Sequence, residues 1–271
     1  MCKEAKLAAI GGIHIAWGLA IMKMRNVRML AVFGILSVSA AAAAETWTYD
    51  GDAGPDRWGD LGSAFELCAL GTEQSPIDLV HEAAIAATGR FIDIVWTPFF
   101  PEIVDNGHTL QVNTDGGGGF ATIDGVRYDL LQFHFHHQSE HAIDGARSPL
   151  EVHFVHRSEA GELLVLGVIL QAGKENPVFA AVQAAWPETV GSSVVGTDYL
   201  DVSGLLPADA AAFQYQGSLT TPPCSQVAFW NVFAQSIEVS EAQIAAFAAR
   251  YPNNSRPLQP LNRRFVLLTG Q

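Results

Sequence analysis

The chain has 271 residues, of which 49% are hydrophobic and 16% are charged. This balance is typical of a globular domain with a hydrophobic core and excludes a disordered or fibrous chain. The formal net charge is -13, and residues 45–271 alone hold 10 basic and 27 acidic side chains, a net of -17. Such acidity argues against nucleic acid as a partner.

The first 44 residues are typical of a targeting sequence. The basic run Lys23–Arg28 precedes the apolar stretch Met29–Val38, and five alanines, Ala40–Ala44, supply small residues for a cleavage site. The apolar stretch is shorter than the roughly 20 residues that a membrane span needs. We therefore predict that residues 1–44 form a removable signal peptide, and that the protein is secreted into a bacterial periplasm without a stable membrane anchor.

Two cysteines, Cys68 and Cys224, remain after the leader. In an oxidising compartment two such thiols favour one disulfide, and two buried free thiols are the alternative. The disulfide would close a long loop, for which the chain-entropy model gives a stabilisation of about 4–5 kcal/mol.

The sequence after the leader shows no internal repeat and no low-complexity linker, which predicts one domain over residues 45–271. Helical periodicity is limited to Asn176–Trp186 and Ser240–Arg250, and Ser240 followed by Gln243 resembles a capping box. The pattern predicts a mainly β, α+β fold, in which short peripheral helices flank a large, mostly antiparallel, twisted central sheet. Segments rich in β-branched and aromatic residues predict these strands: Ile92–Trp96, Thr109–Asn113, Leu130–His136, Leu150–His156, Leu163–Leu170 and Gln226–Phe233.

Histidines recur along two of the predicted strands. Because side chains alternate across a strand, His134 and His136 share one face, while Phe133 and Phe135 point into the opposite, apolar layer. A neighbouring antiparallel strand can supply His153 as a third imidazole from the same side. Three neutral imidazoles with one position left open are the ligand set of a catalytic zinc site.

Two polar residues are placed to orient these imidazoles. Gln132 and Glu151 lie two residues before His134 and His153, respectively, and therefore share their faces. Histidines that bind a metal need a hydrogen-bond partner for the second ring nitrogen. We expect Gln132 and Glu151 to provide it.

Four of the other histidines after the leader are assigned structural or surface roles. They are His81, His137, His141 and His156. His137 and His156 have the opposite parity to the predicted ligands, so we expect their side chains to point away from the metal.

A different metal site also matches part of this segment. The spacing His134-x-His136-x-x-x-Glu140 is found in cupins, where the glutamate and a later histidine bind iron or manganese. The second cupin motif has glycine and proline before its last histidine and asparagine four residues after it. The five residues before His153 hold no glycine, and Arg157 stands at the asparagine position. The cupin interpretation therefore fails at its second motif.

With these residues assigned, the sequence resembles the alpha-class carbonic anhydrases over nearly all of the chain after the leader. The resemblance implies reversible hydration of carbon dioxide to bicarbonate and a proton, by attack of zinc-bound hydroxide. It also implies Zn2+ on His134, His136 and His153, and carbon dioxide and bicarbonate as the small-molecule partners. The matching segments are Trp47–Tyr49, Gln74–Ile77, Asn106–His108, Gln132–His141, Glu151–His156, Gly217–Pro223 and Arg256–Leu261.

The same resemblance implies roles for other residues. Thr220 would accept a hydrogen bond from the hydroxide and donate its own proton to Glu140, and His108 would pass the released proton to buffer. Tyr49 and Thr221 would organise the intervening water molecules. A hydrophobic substrate pocket would be formed by Val155, Val165, Leu219 and Trp230.

Cys68 and Cys224 stand where secreted members of the family carry a disulfide. Secreted bacterial members are often homodimers, so a monomer and a homodimer both stay open. Two other functions fit the resemblance: a binding module that has lost catalysis, and a zinc hydrolase acting on esters. All three zinc histidines are retained, which disfavours the module. No pocket for a larger acyl group is recognisable, so ester hydrolysis is expected only as a side activity.

Overall fold

The computed structural model describes residues 46–88 and 92–270, and the predicted leader lies outside them. The helices are α1 (Leu67–Leu70), α2 (Pro177–Ala184) and α3 (Glu241–Arg250), with 3-10 turns at Gly51–Ala53, Pro55–Asp60, Ser63–Phe65, His81–Ala83 and Ser203–Leu205. The strands are β1 (Asp78–Leu79), β2 (Ile85–Ala87), β3 (Asp93–Thr97), β4 (Glu102–Asp105), β5 (Leu110–Asn113), β6 (Gly118–Ile123), β7 (Val126–His137), β8 (Ala142–Ile143), β9 (Leu150–Ser158), β10 (Leu163–Ala172), β11 (Ser193–Val195), β12 (Ala212–Gly217), β13 (Ala228–Phe233), β14 (Ile237–Val239) and β15 (Leu267–Thr269).

Most of these strands form one large sheet, with the neighbour order β11-β4-β5-β7-β9-β10-β13-β12-β15-β2. Most pairings are antiparallel, whereas β10 runs parallel to β13 and β14, and β15 runs parallel to β2. β6 joins the sheet through β7 and also pairs with β3, and β1 and β8 form a separate parallel pair. The predicted fold class is confirmed.

The predicted strands are all present, although several of their ends differ. β7 begins at Val126, earlier than predicted, because its first residues pair with β6 in a tight hairpin. The two residues between the strands, Asp124 and Gly125, both have positive φ, at 51° and 79°. Asp-Gly with two positive φ angles suits the turn that joins two twisted antiparallel strands.

Both predicted helices are also present, and each begins at a side-chain cap. Asn176 accepts hydrogen bonds from two backbone N–H groups at the start of α2, and Pro177 occupies the first helical position. Ser240 and Gln243 form the predicted capping box at the start of α3. α2 ends at Ala184, two residues before the predicted end at Trp186.

Apolar side chains cover both faces of the sheet. On one face, Phe135 of β7 packs against Phe179 of α2 and Phe247 of α3 in the larger hydrophobic cluster. A second cluster contains Val165 and Trp230 and lies on the opposite face, because strand residues alternate. No described helix is long and apolar enough to cross a membrane.

Candidate metal centre

The register of β7 and β9 brings the predicted ligands together. His134 stands directly opposite His153, and His136 stands opposite Glu151. Alternation puts His134, His136 and His153 on one face, with ring centroids 4.5, 5.0 and 5.3 Å apart. One nitrogen from each ring lies within 4.8 Å of the others. The three imidazoles can therefore hold one metal ion.

Each of these imidazoles has its other nitrogen fixed by a protein oxygen. The bonds are His134 Nδ1 to Gln132 Oε1 (2.8 Å), His136 Nδ1 to the Asn254 carbonyl (2.7 Å) and His153 Nε2 to Glu151 Oε1 (2.9 Å). An oxygen of this kind accepts, so the bonded nitrogen carries the hydrogen. The remaining nitrogens, His134 Nε2, His136 Nε2 and His153 Nδ1, then have free lone pairs.

The donor set fits zinc. His136 Nε2 is buried and has no hydrogen-bond partner among the described residues, which is unusual for a buried polar atom and is resolved by a metal bond. Burial lowers the pKa of His134 and His136, which keeps both rings neutral and able to bind a metal. Three neutral imidazoles form the ligand set of many catalytic zinc sites.

A buried hydrogen-bond network lies behind His153. Glu151 also accepts from His141, through both its Nδ1 and its backbone N–H at 2.8 Å. The Tyr215 hydroxyl bridges His141 Nε2 (2.6 Å) and Ser75 Oγ (2.9 Å). His141, Glu151 and His153 are also close enough to bind a metal. Because their atoms already bond one another, we interpret them as support for the third ligand.

Glu140 and Thr220 are both buried. Glu140 Oε1 accepts the Arg256 backbone N–H at 2.8 Å, and Glu140 Oε2 lies 3.9 Å from His153 Nδ1. This second oxygen is buried without a hydrogen-bond partner among the described residues. The bond expected from Thr220 to Glu140 is therefore not formed in this arrangement. Catalytic hydrogen bonds often tighten only when ligands are bound, so the bond stays a prediction.

Thr220 and Thr221 lie in the loop between β12 and β13. The Thr221 carbonyl accepts the Cys224 backbone N–H at 2.9 Å, which closes a turn in this loop. Cys224 is bonded to Cys68, so the predicted disulfide is present and anchors the loop.

Three of the four predicted pocket residues are neighbours in the sheet. Val165 of β10 stands opposite Val155 of β9 on one side and Trp230 of β13 on the other. The Trp230 ring lies 4.8 Å from the His153 ring. Leu219 is partly buried and belongs to the loop between β12 and β13. The three sheet residues form an apolar wall beside the third ligand.

His108 lies in the turn between β4 and β5, next to aromatic residues near the start of the described chain. Its ring stacks on Trp47, with centroids 3.8 Å apart, and meets Tyr49 edge-on at 6.4 Å. Burial lowers the pKa of His108. Burial also raises the pKa of Tyr49, and the charge of Glu140 adds to this rise.

Sequence reasoning missed Asn254, which is fully buried. Besides binding His136 through its carbonyl, its side chain donates to the His108 and Phe135 carbonyls at 3.0 and 2.9 Å and accepts the His137 N–H at 2.7 Å. It lies 118 residues from His136 in sequence, so no local pattern could connect the two.

The remaining histidines lie outside the cluster, as their assignment predicts. His137 bonds a backbone carbonyl through Nδ1 at 2.8 Å. His156 packs near Trp96 with ring centroids 6.0 Å apart, and burial lowers its pKa to about 4. His81 pairs with Asp144 at 2.7 Å.

Several curated proteins similar to this chain are named carbonic anhydrases. The model of the eukaryotic-type carbonic anhydrase family matches residues 53–270. A carbonic anhydrase of Nostoc sp. is 41% identical over 253 residues, covering 91% of this chain and 96% of the relative. One from Neisseria gonorrhoeae is 37% identical over 245 residues, covering 89% and 96%.

Solved structures agree with this match. The alpha-carbonic anhydrase from Thermovibrio ammonificans, in complex with the inhibitor sulfanilamide, superposes with a TM-score of 0.80 at 40% identity, covering 83% of this chain and 100% of that chain. The chain therefore belongs to the eukaryotic-type, or alpha, carbonic anhydrases, enzymes that hydrate carbon dioxide to bicarbonate.

Proposed function

We propose that this carbonic anhydrase is a zinc enzyme, with His134, His136 and His153 as ligands and His108 as proton shuttle. One observation carries the zinc proposal: three imidazoles converge on one face, and each has its second nitrogen fixed on a protein oxygen. When bound, zinc supplies a hydroxide nucleophile near neutral pH, as in carbonic anhydrases generally.

Glu140 and Thr220 orient the nucleophile in this proposal. A carboxylate only accepts hydrogen bonds, and Glu140 Oε2 is a buried acceptor that is free of partners among the described residues. A Thr220 hydroxyl that donates to this oxygen has only lone pairs left for the nucleophile. The nucleophile must then donate its hydrogen to Thr220, which turns its own lone pair toward the substrate.

The apolar wall supports a small, uncharged substrate. Carbon dioxide needs no charged anchor, and Val155, Val165 and Trp230 provide a dry surface beside His153. Leu219 would complete this surface from the neighbouring loop. Apolar side chains also keep bulk water away from the reacting atoms.

Every hydration cycle releases a proton that must leave the site. His108 is partly exposed, and its ring makes no hydrogen bond to another described residue, so its nitrogens are available to water. An imidazole titrates near neutral pH and can take a proton from water and pass it to buffer. Tyr49 and Thr221 are proposed to order the water between the metal and His108.

Export to a periplasm is part of the same proposal, with residues 1–44 as signal peptide and residues 45–271 as one domain. The Cys68–Cys224 disulfide supports an oxidising compartment. The strongly acidic composition after the leader supports small molecules rather than nucleic acid as partners.

Stopped-flow hydration of carbon dioxide by the zinc-loaded protein tests the proposal. We expect activity that requires the metal and is blocked by a sulfonamide. His153→Ala should abolish both zinc retention and activity. His137→Ala is the matched control and should keep both, because His137 bonds a backbone carbonyl outside the cluster. An inactive zinc-loaded protein would refute the function, and zinc retained by His153→Ala would refute the third ligand.

A further inference from the structure

In the turn between β4 and β5, each backbone N–H group donates a hydrogen bond to an identified acceptor. Asn106 N–H donates to the Thr109 carbonyl at 3.3 Å, and Asn106 Oδ1 accepts the N–H groups of His108 and Thr109 at 2.9 Å. Gly107 N–H donates to Asp105 Oδ1 at 3.2 Å. The φ angle of Gly107 is 85°, a value that glycine adopts without strain. The turn that carries His108 is therefore bonded, through the Gly107 N–H, to a carboxylate three residues before His108.

That carboxylate belongs to a buried cluster. Asp105 is fully buried, and each of its oxygens has two donors. Oδ1 accepts Gly107 N–H and the Tyr251 hydroxyl (2.5 Å), and Oδ2 accepts Trp186 Nε1 (2.9 Å) and forms an ion pair with Arg250 Nη2 (2.7 Å). Trp186 follows α2, while Arg250 and Tyr251 lie at the end of α3. One carboxylate thus ties the turn to the ends of two helices through charge-assisted hydrogen bonds.

The geometry points to Asp105 as a positioning residue for the His108 proton shuttle, an inference that rests on the proposed function. The His108 ring makes no hydrogen bond to another described residue. Its position follows from the turn, from Asn254, which bonds its carbonyl at 3.0 Å, and from the stack on Trp47.

Loss of the Asp105 charge acts first on this turn. Without this charge, the carboxyl oxygens bind the Gly107 N–H and the buried donors from the helix ends more weakly, or not at all. The turn can then leave its present conformation, because glycine allows many others. The predicted zinc ligands lie on β7 and β9, neither of which pairs with β4. We therefore expect proton export to suffer while the hydration step is preserved.

Asp105→Asn keeps the size of the side chain and one acceptor oxygen but removes the charge. The value of kcat/KM reports the steps through bicarbonate formation, whereas kcat in weak buffer includes proton export. We expect kcat in weak buffer to fall at least about threefold, toward the value of His108→Ala, because positioned proton transfer contributes about 100-fold or more. Added imidazole should restore kcat, and kcat/KM should stay within about twofold of the wild type.

The matched control is Asp129→Asn, which neutralises an exposed carboxylate bonded to Arg127 and should change neither constant. A second readout is the contact between the His108 and Trp47 rings, measured by NMR on the full zinc-loaded protein. We expect this contact to weaken in Asp105→Asn. Either a wild-type kcat in weak buffer or an intact ring contact in this variant would overturn the inference.

Failure of the proposed function and failure of Asp105→Asn to fold can both be distinguished from failure of this inference. If the wild type itself fails to hydrate carbon dioxide, the proposed function fails, while an intact ring contact in Asp105→Asn still overturns the positioning role. If Asp105→Asn does not fold, Tyr251→Phe removes one donor from Oδ1 and leaves the Arg250 pair in place. This milder variant should show a smaller loss of kcat that imidazole restores, and an unchanged kcat would overturn the inference.

Discussion

Glu151 is the residue that fixes the chemical form of the third predicted ligand. Burial by itself raises the pKa of its carboxyl group. The neighbouring His141 and His153 together lower this pKa by more, so it lies well below its usual value. The group is therefore a carboxylate that only accepts hydrogen bonds. His153 must carry a hydrogen on Nε2, where it meets Glu151, so in the neutral ring Nδ1 is the nitrogen that is free for the metal.

Glu151→Gln should weaken zinc binding about 10- to 100-fold, the usual effect of losing an outer partner of a ligand. The amide fills nearly the same space but has an NH2 group in place of one oxygen, so either the two imidazole rings or the His141 backbone N–H must lose its acceptor. Competition with a chelator of known affinity measures the effect. Glu82→Gln alters an exposed glutamate and serves as the control. Equal zinc affinity in both variants would contradict this role of Glu151.

The orienting residues differ in how far the sequence reveals them. Gln132 and Glu151 lie two positions before a histidine on the same strand, and strand alternation is a local rule, so both could be predicted. Asn254 reaches the site from 118 residues beyond His136. His141 has no periodicity that marks it as a partner of Glu151. Contacts of this kind depend on tertiary packing, which hydrophobic alternation does not encode.

At the scale of elements, alternation reveals the face of a strand but not its partner. The pairing of β7 with β9 could be expected, because a short connection favours antiparallel neighbours. The parallel pairings of β10 with β13 and of β15 with β2 join segments far apart in sequence. No short turn connects these strands, so no local sequence pattern could have predicted that they pair.

One surface contact between elements responds to pH. The 3-10 turn at His81–Ala83 is bonded to the residue after β8, where Asp144 accepts the His81 backbone N–H (2.9 Å) and His81 Nδ1 (2.7 Å). These two bonds, the backbone one first, lower the pKa of Asp144. The ionised carboxylate therefore stabilises the fold above its unfolded pKa, which is about 3.9, and this contribution is lost as pH falls through the lower folded pKa.

Asp144→Asn should lower the urea midpoint slightly at pH 6, and the difference from wild type should shrink as pH falls below about 3.9 and vanish below the folded pKa, where the wild-type carboxyl is also neutral. Asparagine tolerates the positive φ of Asp144, 50°, so the substitution tests the charge and not the backbone. Asp115→Asn, at an exposed aspartate with a φ of 47°, is the control. A difference that persists at low pH would contradict the assignment.

For the molecule as a whole, the first described segment is joined to later parts of the chain by a covalent and a polar link. The disulfide joins Cys68 to Cys224 across 156 residues. Beside it, the buried Arg256 guanidinium donates to the Cys68 carbonyl (3.0 Å) and to Gln74 Oε1 (2.8 Å). The cysteine pair could be predicted because only two thiols remain after the leader. The role of Arg256 could not, since its partners come from the opposite end of the chain.

Replacing both cysteines, as Cys68→Ser with Cys224→Ser, should lower the free energy of unfolding by about 2–5 kcal/mol, because the unfolded chain regains the entropy that a long closed loop removes. Urea unfolding of the variant and of wild type, each with and without reductant, measures this loss. Reduced wild type should match the variant, and reductant should leave the variant unchanged. A variant as stable as oxidised wild type would contradict the prediction.

The same variant separates the stability of the molecule from the integrity of the metal site. The three predicted ligands lie on β7 and β9, so their positions do not depend on the Cys224 loop, and zinc content should stay at the wild-type level at temperatures where the variant is folded. Thr220 lies in that loop, and the turn at Thr221 is closed by Cys224. Opening the disulfide should therefore lower kcat/KM for hydration by a larger factor than it lowers the affinity for zinc. Measuring both quantities on the same variant tests this expectation.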